Sequence, residues 1–357
     1  MMTALLLLVL LAGHADAAGG PCDILDAAGN PCVAAHSTVR ALYAAYAGPL
    51  YRVTRPTAGN ASVDVKARAP GGFADTTAHD TFCATKDCVI SKIYDQSARG
   101  NHLVQRISDG VVHKMVPASR HKISVAGGAE QVYGMWFDPG HGYHQDMTSG
   151  IVKGNDPESI YAVMSGTHFN GDCCFDYGNS ENTTAQPVGT GDYACGAMEA
   201  IYFGNAHWLG NSGAGTGPWV GADFESGMYF GGGNQTKVNP QNTPLTSDFV
   251  SLHVKGRTDG FALKGGDATK GPWKTMYDGP RPIKGVSNPN DCHWHGFNGT
   301  YQPMRKQGAI ILGTGGDNSN GAVGNFYEGF MATGVTSDAT DAKIQENIIG
   351  VGYGMLD

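Results

Sequence analysis

Charge is scarce in this chain. Only 16% of its 357 residues are Asp, Glu, Lys or Arg, and the formal net charge is −8 with no basic cluster. That argues against a nucleic-acid or anionic-membrane partner and suits a neutral ligand such as a polysaccharide. Long hydrophobic runs are also missing. Beyond the first residues, nothing approaches the roughly 20 apolar residues that a bilayer-spanning helix needs. Several chemistries lack their motifs. There is no phosphate-cradling Gly-Lys-Ser/Thr loop, and Gly210-Asn211-Ser212-Gly213-Ala214 fails the nucleophile-elbow pattern at its last position. His293-Trp294-His295 and the pair His141 and His144 lack the glutamate of the zinc-protease helix and any cysteine partner spacing. The expectation is therefore no metal and no cofactor.

What is present is glycine, 53 residues, about twice ordinary usage. Short apolar runs alternate with Gly, Asn, Asp and Thr clusters, the signature of an all-β chain with a β-sandwich. The alternation predicts strands at 50–54, 89–94, 131–137, 159–164, 197–203, 249–254 and 309–312. A helix is expected from a Ser37 cap through Tyr46, because Val39, Leu42, Tyr43 and Tyr46 recur at helical spacing. Another is expected at 338–349, and Cys22 to Cys32 reads as a short loop. Residues 1–17 read as a secretory signal, with an apolar run from Leu5 to Ala12 and a small-x-small site at Ala15-Asp16-Ala17, although no Lys or Arg precedes the run. Residues 18–357 then form a single domain. Eight cysteines behind such a signal point to disulfides, in any of 105 pairings. Sequons at Asn60, Asn182, Asn234 and Asn298 are glycosylation candidates in a secreted chain.

Two stretches carry carboxylates in a pattern that suits sugar chemistry. In 217–227, side chains alternate across an extended strand. Val220, Ala222 and Phe224 face a core. Trp219, Gly221, Asp223 and Glu225 share the other face, where an aromatic ring stacks a sugar and acids bind or cleave it. An edge strand with a solvated polar face would read the same. Downstream, Asp317 sits at the tip of a glycine-rich segment, 313–321, where backbone can approach a ligand closely. This segment departs from the calcium-loop pattern at Ser319 and Gly321. Cys173 and Cys174 are adjacent. Either each pairs elsewhere or the two close an eight-membered ring, with Cα atoms about 3.8 Å apart if the peptide is trans.

Several segments together resemble glycoside hydrolase family 54, secreted α-L-arabinofuranosidases. They include Gly20-Pro21-Cys22-Asp23-Ile24, Ile93-Tyr94-Asp95-Gln96-Ser97, Cys173-Cys174-Phe175-Asp176-Tyr177-Gly178-Asn179, Met198-Glu199-Ala200-Ile201-Tyr202, Gly217-Pro218-Trp219, residues 313–321 and Phe326-Tyr327-Glu328-Gly329. The resemblance spans nearly the whole chain after the signal. It implies a concanavalin- or jelly-roll-like β-sandwich with short peripheral helices, and a retaining mechanism on arabinan- or arabinoxylan-type polysaccharide by a monomer. It implies Glu225 as nucleophile and Asp317 as general acid/base. Asp317 must begin protonated, held so by burial or by Glu225 and Asp223. Cys173, Cys174, Met198, Trp208, Asp223, Ser226 and Gly316 would line the sugar pocket; Ser226 stands where the family carries Asn. The implied disulfides are Cys22–Cys32, Cys83–Cys88 and Cys173–Cys174, leaving Cys195 and Cys292 as a further pair. The expectation is a single catalytic domain over residues 18–357, without the C-terminal arabinose-binding trefoil that family members usually carry. From the residues alone Asp223 remains a competing nucleophile, and a non-catalytic lectin-like sandwich is the alternative function.

Overall fold

The structure, a computed structural model, describes residues 19–108, 110–182, 198–207, 211–224, 227–231, 238–281 and 306–356. Two large sheets stack face to face, and every pairing within them is antiparallel. The eight-stranded sheet runs in the order Lys274–Pro280, Gly260–Asp267, Val250–Gly256, Glu158–Met164, Gly324–Thr333, Glu130–Phe137, His121–Val125, with Cys32–Ser37 also paired to Gly324–Thr333. The ten-stranded sheet runs Met228–Tyr229, Trp219–Asp223, Glu199–Gly204, Asp176–Ser180, Ala309–Leu312, Tyr143–Gln145, Leu103–Gln105, Val89–Ile93, Pro49–Arg55, Ala61–Lys66. The β-sandwich expectation holds. The shared core interleaves both sheets, with Phe224 meeting Phe261 at 5.1 Å and Tyr177 meeting Phe326 at 5.2 Å between ring centroids.

Glu158–Met164 and Val250–Gly256 are buried at every position, because the eight-stranded sheet is covered on both faces. Its second face carries Tyr161 stacked on His253, at 4.0 Å, and the C-terminal helix Asp338–Ile349. That helix was legible in the sequence. Its cap is Ser337, whose side chain accepts from the Thr340 N–H at 3.1 Å. Asp341 in its first turn binds Lys255 and Lys264 at 2.8 and 2.7 Å.

Two expectations fail near the N-terminus. A helix, Pro21–Ala27, fills much of the Cys22 to Cys32 segment. Residues 38–46 form turns instead of a helix, and Ser37 ends a strand. The reason is competition for backbone donors. Ser37 Oγ accepts from the N–H groups of Val39 and Arg40, at 3.0 Å each, and Gln96 Oε1 accepts from Leu42 N–H at 2.6 Å. The buried Arg40 is drawn into a bidentate pair with Glu328, at 2.7 Å on both arms. The helical spacing of Val39, Leu42 and Tyr43 thus reflects core contacts made by a folded loop.

Candidate active site

The strand Trp219–Asp223 lies one position in from the end of its sheet, covered by Met228–Tyr229, so it is not an edge. The predicted alternation holds. Val220, Ala222 and Phe224 join the inter-sheet core, while Trp219 joins a second cluster with Cys174, Tyr202, Met228 and Phe230 on the opposite face. Trp219 is not the open stacking surface expected of it. It is 3% exposed, and its indole N–H donates to the Ala214 carbonyl at 2.7 Å. The cis Gly217–Pro218 peptide precedes it. Beside its ring lies a cavity of 330 Å³ lined by Asn205, His207, Ser212, Gly215, Thr216 and Trp219.

Register carries the site across the outer face. Asp223 stands opposite Ala200, which stands opposite Gly178, which stands opposite Ile311. Opposed residues share a face, so Asp223 lies in one row with the small cluster of Met198, Ala200 and Ile311. Met198 is completely buried there. Asp176 occupies the neighbouring row, opposite Tyr202. It is fully buried, and no N–H or O–H donor reaches its carboxyl oxygens among the described residues. Burial, and then the carboxylate of Asp223, holds the Asp176 carboxyl well above the usual range, so the neutral acid is favoured.

Cys173 and Cys174 are bonded to each other, as are Cys22 and Cys32, and Cys83 and Cys88. The expected trans spacing is replaced by a cis peptide with Cα atoms 2.9 Å apart. Both sulfurs and a carboxylate oxygen of Asp223 lie within 4.8 Å of one another. Because the sulfurs are joined, neither is a thiolate, and the grouping offers a metal only one carboxylate. Of the histidines considered above, His141 accepts from the Asp138 N–H through Nδ1 at 2.8 Å, and His144 sits 3.7 Å from Asp146.

The loop after Ala309–Leu312 folds over this disulfide. A methyl group placed on Gly315 would lie 3.0 Å from Asp317 Oδ1 and 3.4 Å from Cys174 Sγ, so acid and sulfur flank one glycine. Gly313 N–H donates to the Asp176 carbonyl at 2.8 Å, and Gly321 N–H to the Cys173 carbonyl at 2.9 Å. Asp317 is exposed at the tip, so of the two sources expected to keep it protonated, burial is absent and neighbouring carboxylates are left. Its Oδ1 accepts from the Ser319 N–H at 2.8 Å and from the Ser319 hydroxyl. The structure therefore brings Cys173, Cys174, Asp223, Gly316 and Asp317 together and sets Met198 beside them. Glu225, Ser226, Trp208, Cys195, Cys292, Asn234, Asn298, His293 and His295 lie outside the described residues, as does the proposed signal. Asn60 is exposed in the turn before Ala61–Lys66, while the Asn182 amide donates to the Asp146 carbonyl at 2.9 Å.

Sequence reasoning missed Arg106. It is 1% exposed and sits under the Asp317 loop, donating to Asn318 Oδ1 at 2.7 Å and to the Gly315 and Gly316 carbonyls at 3.1 and 2.6 Å. A lone arginine after a short strand is ordinarily a surface residue, and no local pattern marks this one. A second cavity, 490 Å³, lies on the far face between the C-terminal helix and Trp273. Its acids Asp338 and Asp341 are ion-paired with Lys255 and Lys264.

Residues 21–354 match the family model described as the catalytic region of α-L-arabinofuranosidase B. The chain belongs to that family. A probable α-L-arabinofuranosidase B of Aspergillus terreus is 44% identical over 342 residues, 94% of this chain and 63% of its own length. An α-L-arabinofuranosidase of Hypocrea jecorina is 43% identical, over 94% of this chain and 63% of its own length. A solved glycoside hydrolase family 54 α-L-arabinofuranosidase mutant, soaked with 4-nitrophenyl α-L-arabinofuranoside, superposes with a TM-score of 0.83 at 40% identity. The match covers 94% of this chain and 66% of that one. An arabinofuranosidase complexed with arabinofuranosyl-α-1,2-xylobiose matches with the same TM-score over 95% of this chain. The chain thus spans a little under two thirds of the length of these relatives. Among the described residues, no helix is long and apolar enough to cross a membrane.

Proposed function

We propose that this chain is the catalytic unit of a secreted, retaining α-L-arabinofuranosidase that removes terminal arabinofuranosyl groups from arabinan- or arabinoxylan-type polysaccharide. Residues 18–357 are read as one catalytic sandwich acting as a monomer, behind a signal at residues 1–17. The observation that carries the reading is the meeting of Asp223, Asp317 and the Cys173–Cys174 bond on one face of the ten-stranded sheet. Family membership, and a solved relative complexed with an arabinofuranosyl xylobiose, support the substrate class.

In this reading Glu225, two residues beyond Asp223, is the nucleophile. Its carboxylate attacks the anomeric carbon while Asp317 donates a proton to the glycosidic oxygen, and the alcohol leaves. Asp317, now ionised, takes a proton from water as the water oxygen displaces Glu225, so the anomeric configuration is retained. Exposure of Asp317 lets the leaving group depart and water enter from solvent. Asp223 accepts hydrogen bonds from sugar hydroxyls, and the disulfide, Met198, Trp208, Ser226 and Gly316 shape the pocket. A retaining enzyme requires about 5–5.5 Å between its two carboxyl groups, which is the separation expected of Glu225 and Asp317 in this reading.

The test is Glu225→Ala assayed on an aryl α-L-arabinofuranoside. Nearly all hydrolysis should vanish, and added azide should restore turnover as a β-furanosyl azide. Wild-type-like activity in this variant would move the nucleophile to Asp223. A wild-type protein that binds arabinosides without releasing arabinose would replace the enzyme by the lectin-like module.

A further inference from the structure

The segment that presents Asp317 has every reason to be loose. Gly313, Gly315, Gly316 and Gly321 give it the backbone freedom that costs most to restrain, and Asp317 itself is exposed. Asn318, directly after the acid, holds a left-handed φ of +73°. Three acceptors bracket Asp317 on both sides: the carbonyls of Gly315 and Gly316 before it and the amide oxygen of Asn318 after it. All three are taken by one buried guanidinium, that of Arg106, through Nη1, Nη2 and Nε. The arginine is itself fixed from below. Its N–H donates to the Gly142 carbonyl at 3.1 Å and its carbonyl accepts from His113 N–H at 3.0 Å.

We propose that Arg106 is the positioning residue of the acid/base loop, its planar fork setting where Asp317 meets the glycosidic oxygen. The inference rests on the reading of Asp317 as general acid/base. The geometry favours this role over simple charge burial. A guanidinium offers donors in a rigid plane, whereas an ammonium offers one point of charge and cannot hold three acceptors spread over four residues. Proton transfer depends steeply on the placement of the acid, so a loop displaced by a fraction of an ångström loses catalysis without losing the sugar pocket.

The experiment compares kcat/KM on two arabinofuranosides, one with an alkyl leaving group that must be protonated and one with 2,4-dinitrophenolate, which leaves unaided. Asp317→Asn should lose about 10²–10⁴-fold on the alkyl substrate and little on the other. Arg106→Lys and Arg106→Met should show the same selectivity, with at least about a tenfold loss on the alkyl substrate as part of that general-acid term. Combined with Asp317→Asn, they should add almost nothing. If Asp317→Asn is alkyl-selective but the Arg106 variants are unchanged, or lose both substrates equally, the positioning role is overturned and the acid/base reading stands. If Asp317→Asn loses nothing, the acid/base reading falls and the positioning role falls with it. Should the Arg106 variants fail to fold, Asn318→Gly decides. It removes one acceptor while tolerating the positive φ, and an alkyl-selective loss supports the role whereas wild-type behaviour overturns it.

Discussion

Two groupings of buried carboxyl side chains, Glu158 with Glu199 and Asp176 with Asp223, are handled in opposite ways. Glu158 and Glu199, one from each sheet, converge between the sheets on Lys306, whose Nζ lies 3.5 and 3.1 Å from them. Asn179 adds donors to Glu158 at 3.3 Å, and Gly256 leaves the space that the Glu199 carboxylate fills. Lys306 is nearly all buried, yet Glu199 and Glu158 outweigh burial and hold its pKa up. Asp176 and Asp223 sit on the outer face of the ten-stranded sheet. After burial, the charges that bear on Asp176 are carboxylates: Asp223, Asp317 and Glu181. One grouping has its cation built in and closes the sandwich. The other gathers negative charge, which under the proposed function is where a cationic, proton-demanding transition state would form. The lesson is that buried acids are separated into architecture and chemistry by what faces them, not by residue type.

The strongest way to break this contrast is Lys306→Met. Removing the cation leaves two buried glutamates facing each other, and the cost should be about 3–5 kcal/mol in urea unfolding. A loss below about 1 kcal/mol would mean that the triad is not holding the sheets. Asp223→Asn should do the reverse. It should lower kcat/KM by about 10–10²-fold, the worth of a hydrogen bond to a charged acceptor, while thermal stability holds or rises as charge beside Asp176 is relieved. A fall in melting temperature with unchanged activity would place Asp223 with the architecture.

The pH dependence sharpens the contrast next. Burial, opposed by Lys306 and reinforced by Glu199, raises Glu158 to about 8. A carboxyl whose folded pKa is raised contributes stability that is full below its unfolded pKa, near 4.5, and is lost as pH climbs through about 8. Melting temperature should therefore decline from pH 5 to 8.5, and Glu158→Gln should flatten that decline. An unchanged slope in the variant would assign it elsewhere, Asp176 first. The smallest effect on stability is expected from Cys173→Ser with Cys174→Ser. A bond between neighbours closes no loop, so it removes almost no unfolded-chain entropy. The melting temperature should move by no more than about 2–4 °C, the scale of 1 kcal/mol. Turnover should fall, because the disulfide lies against Asp223 and the Asp317 loop. Full activity in the double variant would remove the disulfide from the pocket wall.

Strand alternation was readable wherever one face met the core, as at 220, 222 and 224, and the strands at 159–164 and 309–312 were found nearly to the residue. Strands rich in glycine or polar groups were not: Gly260–Asp267 and Asp176–Ser180 carry no hydrophobic alternation because both of their faces are buried in place. Trp219 was misjudged for a related reason. Period two tells which face a side chain takes, but not what covers that face.

By itself, the sequence determined the sandwich class, the two acid-bearing segments and, through resemblance, the residues worth watching. Those follow from local periodicity and composition, which need no neighbours. Only the tertiary structure decided that Asp317 sits exposed over the Cys173–Cys174 bond, that Asp176 lies buried beside Asp223, and that Arg106 reaches across more than two hundred residues of chain to grip the loop. Each of these depends on which strands lie side by side and on the burial that the pairing creates. Dielectric, charge neighbours and hydrogen-bond partners are properties of a place in the fold, and no stretch of sequence specifies that place alone.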